Sequence, residues 1–219
     1  MTQTMRRPDA DLKTAVVDEL KWTPSVDSTH VGVAVDHGAV TLSGEVSSYP
    51  EVLLAGKAAQ RVSGGTAIAQ ELTVRTTWGA NDSDIAREAG EALDRAVDVP
   101  ESVKASVHER AVTLSGLVNW NYQREAAERA VRHTRGVIGV LSRVTIRPTA
   151  MAGDVKAVIT SAMVRNARLE SNHIRVTASG GLATLEGTVR SWPERRQTEQ
   201  ACWPAPGVMD VTNHLRIAY

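Results

Sequence analysis

Phenylalanine is absent from these 219 residues, and cysteine occurs once. Without Phe, the cores must be filled by Val, Leu, Ile and Ala, which leaves Trp and Tyr for special positions. Cys202 cannot make an internal disulfide, so nothing here requires an oxidising compartment. A small, buried apolar role suits it better than a nucleophilic one. No run of about 18 apolar residues exists, which excludes a membrane-spanning helix. Met1 to Asp11 is polar with no apolar stretch, so no signal peptide is visible and a soluble, cytoplasmic protein is expected. Net charge is missing too: 25 basic residues balance 25 acidic ones, which argues against nucleic acid as a partner.

The patterns of catalysis are also missing. The chain contains no G-x-S-x-G, H-E-x-x-H or C-x-x-C. Its histidines, His30, His37, His108, His133, His173 and His214, fall in no metal-ligand spacing. Gly64-Gly65 and Gly180-Gly181 read as turns, because neither opens a helix after a strand as a phosphate loop does. No cofactor, no metal and no enzymatic activity are expected.

What the chain does have is repetition. Ala39-Val40-Thr41-Leu42-Ser43-Gly44-Glu45-Val46 returns as Ala111-Val112-Thr113-Leu114-Ser115-Gly116-Leu117-Val118, and more loosely as Leu182-Ala183-Thr184-Leu185-Glu186-Gly187-Thr188-Val189. The interval from Gly44 to Gly116 and that from Gly116 to Gly187 agree to within one residue, and a second marker, Gly65, Gly136 and Gly207, recurs at equal intervals. Two anchors in register define a tandem array. Its units are placed at 1-76, 82-147 and 152-219. Gly44 to Gly65 is one residue longer than Gly116 to Gly136 or Gly187 to Gly207, so repeat one is read as carrying one extra residue.

Each unit reads as αββαβ. Leu12, Val16 and Leu20 recur at helical spacing, as do Ile85, Ala89, Leu93 and Val155, Ile159, Met163. Trp22 ends the first helix and is expected in the core. Val31, Val33 and Val35 alternate as a half-buried strand, matched by Val103, Ala105, Val107 and by Ile174, Val176, Ala178. Asp36-His37-Gly38 and Ser179-Gly180-Gly181 are hairpin turns with glycine at positive φ. His108-Glu109-Arg110 lacks the glycine, so that turn must differ or carry strain. The organising stretch is the second strand, and its mid-strand glycine predicts a closely packed neighbour. The following helix is the candidate, since it offers Ala55, Ala58 and Ala59, or Ala126, Ala127 and Ala130. Ser48 and Ser191 precede Pro50-Glu51 and Pro193-Glu194 as helix caps. A third strand closes each unit. The fold class is therefore α+β: three tandem αββαβ modules, each a three-stranded sheet with two helices on one face.

These residues resemble the BON domain (bacterial OsmY and nodulation), a helix, a hairpin carrying V-T-L-x-G-x-V, a helix and a closing G-V-x-x-V-x-N-x-L strand. Gly207-Val208-Met209-Asp210-Val211-Thr212-Asn213-His214-Leu215 fits the closing element best, and Gly65 to Leu72 fits it least. Together the copies cover nearly the whole chain, which resembles the triple-BON, osmotic-stress-associated bacterial proteins. The resemblance implies a non-enzymatic binder of phospholipid or envelope surfaces. Relatives include periplasmic stress proteins with chaperone-like roles and a cytoplasmic potassium-binding protein.

Charge and aromatics single out candidate contact residues. Residues 9–75 carry a net −4, residues 82–147 a net 0 and residues 154–219 a net +2. Tyr49, Trp120, Tyr122 and Trp192 cluster where the second helix of a repeat begins, as interfacial anchors or as staples on the first turn. Arg190, Arg195 and Arg196 flank Trp192. Arg124, Arg129, Arg132 and Arg135 follow Trp120, with Glu125 and Glu128 interleaved, as a solvated face or an anion-binding one. Trp78, in the first link, is an inter-repeat wedge or an exposed contact. The expected function is a stress-associated binding module that associates peripherally with anionic phospholipid through Trp192, Arg190, Arg195, Arg196, Trp120 and Arg124. The alternatives are a protein-interaction or chaperone-like scaffold that uses free sheet edges, binding itself or other proteins, and a potassium-responsive binder.

Overall fold

The computed structural model describes residues 7–75, 79, 81–147, 159, 174–205 and 207–217. Val155, Met163, Trp78 and His173 lie outside them, as do most of both links. Contacts group the chain into two compact units, residues 1–116 with 122–144 and residues 117–121 with 145–219.

Repeat one runs α1 (Asp9–Lys21), β1 (Val31–Asp36), β2 (Ala39–Val46), α2 (Tyr49–Arg61) and β3 (Ala67–Val74). The sheet order is β1-β2-β3. A tight hairpin makes β1 and β2 antiparallel, with Val33 opposite Leu42. The helical crossover makes β2 and β3 parallel, with Leu42 opposite Gln70. Leu12, Val16 and Leu20 of α1, Ala55, Ala58 and Ala59 of α2, and Val40 and Leu42 of β2 share one core. Both helices therefore lie on one face of the sheet. Arg61 of α2 fastens them together by donating to the Glu19 carboxylate and the Thr23 hydroxyl, which itself donates to the Glu19 carbonyl.

Repeat two repeats this plan with α3 (Asp82–Arg95), β4 (Lys104–His108), β5 (Ala111–Val118), α4 (Asn121–Val131) and β6 (Gly139–Ile146), sheet order β4-β5-β6. Ile85, Ala89 and Leu93 are its buried helical stripe. Repeat three shows β7 (Ile174–Ser179), β8 (Leu182–Val189), α5 (Trp192–Cys202) and β9 (Asp210–Ile217), again with an antiparallel and then a parallel pairing. Ile159 is helical and buried in the core of that repeat with Leu185, Cys202 and Leu215. The protein is thus α+β, built from three copies of one module.

The hairpins of repeats one and two share a device that neither sequence copy displays. His37 and Gly38 have φ of 49° and 81°, and Glu109 and Arg110 have φ of 48° and 63°. Both turns thus take two successive positive φ values, so the second carries the strain its missing glycine implies, at a cost of about 1–3 kcal/mol per non-glycine residue. Such a turn aims its two backbone N–H groups the same way. Asp9 accepts from His37 and Gly38 at 2.8 and 3.0 Å, and Asp82 accepts from Glu109 and Arg110 at 2.9 Å each. In repeats one and two, one carboxylate on the first turn of the opening helix therefore clamps the hairpin of its own module.

Three expectations are corrected. Gly44 is not the seat of α2. Its φ is +117°, and a Cβ there would stand 2.0 Å from the His30 carbonyl oxygen, at the mouth of β1; Gly116, at φ +139°, meets Ser102 in the same way at 2.2 Å. Backbone against backbone, not helix against strand, demands the glycine. The close approach of α2 to the sheet occurs instead at Gly56, under the Gln70 amide, which donates to the Val52 carbonyl.

The second marker is also one residue off. Thr66 N–H donates to the Gly38 carbonyl, Ile138 N–H to that of Arg110 and Met209 N–H to that of Gly181. This makes Gly64, not Gly65, the partner of Gly136 and Gly207, and these three share φ of +106°, +85° and +85°. The interval from Gly44 to Gly64 then equals those from Gly116 to Gly136 and from Gly187 to Gly207, and repeat one has no insertion. Gly65 corresponds to the buried Val137 and Val208. A Cβ on it would make only ordinary contacts, 3.7 Å from Val40 and 3.8 Å from the Gly38 carbonyl. Gly65→Ala should therefore stabilise the protein by about 0.4–1 kcal/mol in denaturant melts, whereas Gly64→Ala should destabilise it.

Trp22, finally, is 83% exposed. Two residues beyond Leu20, it is turned about 200° around the helix from the apolar stripe. Thr23 and Val26 line the core there instead.

Candidate surface for anionic ligands

The start of α5 is built by a serine and a glutamate. Ser191, with extended backbone, accepts from the Glu194 N–H at 3.3 Å, and Glu194 accepts from the Arg190 N–H at 2.7 Å. Reciprocal bonding of this kind satisfies helix-end donors. Ser48 occupies the same position before α2, but its hydroxyl makes no capping bond. There Glu51 reaches back to the Ser47 N–H and hydroxyl. Pro50 and Pro193 sit in the first turns as the sequence indicates.

The three arginines flanking Trp192 divide into two kinds. Arg195 is structural. Its Nε donates to the Leu215 carbonyl at 3.1 Å and a terminal nitrogen to the Asn213 carbonyl at 2.7 Å, while the guanidinium lies 5.8 Å from the Trp192 ring centroid. Asn213 completes the bracket from β9, donating to Glu199 Oε2 at 2.9 Å and to the Arg195 carbonyl at 3.5 Å, and accepting from the Leu215 N–H. Gln70 and Asn213 hold equivalent strand positions, opposite Leu42 and Leu185. Each side-chain amide donates to a carbonyl in the first turn of the preceding helix. The asparagine of the closing strand is thus a tie between strand and helix. Arg190 and Arg196 are exposed, one on either side of Trp192.

Trp192 is half-buried. Its indole nitrogen is sealed from solvent with no hydrogen-bond partner among the described residues, so the polar edge of the ring faces inward. Tyr49 is half-buried too. Trp120 and Tyr122, by contrast, are 47% and 53% exposed. Arg124 is half-buried, and Arg129 pairs with Glu125 at 3.9 Å. The four aromatics thus divide by exposure, with Tyr49 and Trp192 half-buried and Trp120 and Tyr122 exposed. Sequence reasoning missed the bracket formed by Arg195, because its partners are backbone carbonyls on a strand beyond the end of its own helix.

Among the described residues no three His, Cys, Asp or Glu side chains gather to hold a metal, and no helix is long and apolar enough to cross a membrane. Cys202 is buried, with its Sγ donating to the Thr198 carbonyl at 3.5 Å. Burial, with the nearby Glu199 carboxylate adding to it, pushes the thiol up to about 11. The protonated thiol is a poor nucleophile. A maleimide should leave Cys202 unmodified at neutral pH in the native protein and label it promptly in denaturant. Because the folded thiol holds its proton more tightly than the unfolded one at 9.0, its stabilising contribution is full below pH 9 and is lost as pH rises from 9 through about 11.

Comparison with known proteins agrees with the repeat. Residues 8–76, 81–148 and 152–219 each match the BON domain. Osmotically-inducible protein Y of Escherichia coli (strain K12) is 28% identical over 122 residues, covering 52% of this chain and 61% of that protein. The match thus spans about three fifths of the relative's length. The C-terminal domain of CdsD, a structural protein of the type III secretion system of Chlamydia trachomatis, aligns over 100% of both chains at 14% identity and a TM-score of 0.27, too low to carry an argument. The chain belongs to the BON domain family, with three copies of the domain in tandem.

Proposed function

We propose that this protein is a non-enzymatic, stress-associated binding protein that docks reversibly on anionic phospholipid surfaces through its third module. The observation that carries the reading is the pair of exposed guanidiniums, Arg190 and Arg196, on either side of Trp192 at the start of α5, in the one module with net positive charge. Each basic residue near an anionic membrane contributes about 1 kcal/mol, and the attraction decays within a Debye length. With Arg195 held by β9, two arginines supply about 2 kcal/mol of attraction. That is weak and reversible, so the exposed ring of Trp120 adds an apolar contact in the same unit. Similarity to an osmotically inducible protein supports a role under osmotic stress. The test is flotation of the full chain with neutral and with anionic vesicles at low and high salt. Binding only to anionic vesicles, and only at low salt, is expected; equal binding to neutral vesicles contradicts the reading.

A further inference from the structure

A second basic feature lies in the first unit. A cleft of about 470 Å³ opens between repeat one and repeat two. Repeat one contributes the start of α2 and the end of β3, and repeat two contributes the Arg110 turn and the segment after α4. Four arginines among the described residues line it, Arg75, Arg110, Arg132 and Arg135, together with His133. Among the described residues of the lining the one carboxylate is Glu51, which is already engaged by the Ser47 N–H and hydroxyl. Arg75 also pairs with Glu45 at 3.1 Å, but the excess of positive charge remains. The lining also includes apolar side chains, Leu54, Val74 and Val137, with the Tyr49 ring among them.

We infer that this cleft binds a small phosphate-bearing molecule, its phosphate on the guanidiniums of Arg110, Arg132 and Arg135 and its organic part against Tyr49, Leu54 and Val74. Guanidinium forks match phosphate oxygens in pairs, and several such forks in one concavity favour a multiply charged anion over a carboxylate. The volume falls within the range of about 300–1,000 Å³ that small-ligand sites occupy. Like charges collected in a cleft focus the field, which raises the local concentration of an anion. The Ser48 hydroxyl, unused as a helix cap, is a further donor at the rim. Because Arg110 also sits at φ +63°, this turn carries strain where glycine would relieve it, and its guanidinium is what the cleft gains in return. A soluble phosphate ester and the headgroup of a phospholipid share this chemistry.

The experiment titrates the full chain calorimetrically with inorganic pyrophosphate and with AMP, and separately with phosphatidylglycerol vesicles. Saturable binding of the soluble probes, weakened at least about tenfold by Arg132→Gln with Arg135→Gln, is expected and assigns a soluble source. Binding of vesicles alone, lost in the same double variant, assigns the headgroup. Arg110→Gly should weaken binding while raising the thermal midpoint, a pairing that a purely structural role for Arg110 does not give. Arg190→Glu with Arg196→Glu should leave the soluble probes bound, so this site and the docking surface on α5 stand or fall apart. Binding that is absent for every probe, or unchanged in the Arg132 and Arg135 variant, overturns the inference.

Discussion

Gly116→Val is expected to destabilise its module by about 3–4 kcal/mol, and Gly44→Val by as much. Two costs add. A valine at φ +139° or +117° sits in backbone space that β-branched residues do not occupy, at about 1–3 kcal/mol. Its Cβ would also stand 2.2 or 2.0 Å from a backbone carbonyl oxygen, and backbone yields less readily than a side chain, so overpacking adds about 1–3 kcal/mol. Domains of this size hold roughly 0.05–0.15 kcal/mol per residue, so the loss approaches the whole stability of one module. Gly187, at φ +126°, should behave alike. Denaturant melts of the three variants decide the matter. A silent Gly116→Val would mean that the pinch between β5 and the residue before Val103 is not obligatory.

The second large effect is on vesicle binding. Arg190→Glu with Arg196→Glu removes about 2 kcal/mol of attraction and replaces it with repulsion of similar size. The total, about 4 kcal/mol, is roughly a thousandfold in affinity, which takes a weak interaction below detection. The melting curve should hardly move, since both side chains are exposed and surface substitutions typically change stability by under about 0.5 kcal/mol. Arg195→Glu is a poor substitute. It breaks the two bonds to the Asn213 and Leu215 carbonyls, so loss of binding there would be confounded with loss of fold. Retention of anionic-vesicle binding by the double variant at wild-type strength sinks electrostatic docking through α5.

Much of the module is legible in the chain itself. The stripes Leu12, Val16, Leu20 and Ile85, Ala89, Leu93 are buried as their spacing requires, because a helical period leaves one face no alternative. The strand alternation survives equally well in β1, β4 and β7. What misleads is identity without geometry. Trp22 looks like core by composition, but its angular position on α1 sends it outward. Gly64 and Gly65 are adjacent, and a match on a glycine followed by a small residue picks the wrong one; only the bond from Thr66 to the Gly38 carbonyl fixes the register.

The candidate site is harder to read for a related reason. Three arginines near a tryptophan are equivalent in sequence, yet only the placement of β9 alongside α5 separates Arg195, which is spent on backbone carbonyls, from its two exposed neighbours. The clamps of Asp9 and Asp82 are hidden similarly. An acidic residue in a first helical turn is ordinary on helix-dipole grounds, and nothing local shows that a hairpin on the far side of the first strand needs both of its oxygens.

The central functional claim is that the third module meets the membrane with the start of α5. The direct measurement is amide NMR of the full chain with anionic vesicles that carry a nitroxide-labelled lipid. Relaxation enhancement should be strongest at Arg190, Trp192 and Arg196, should vanish at high salt, and should spare α1 and β1 of the acidic first repeat. Enhancement centred on the first repeat, or persisting unchanged in high salt, would contradict the account.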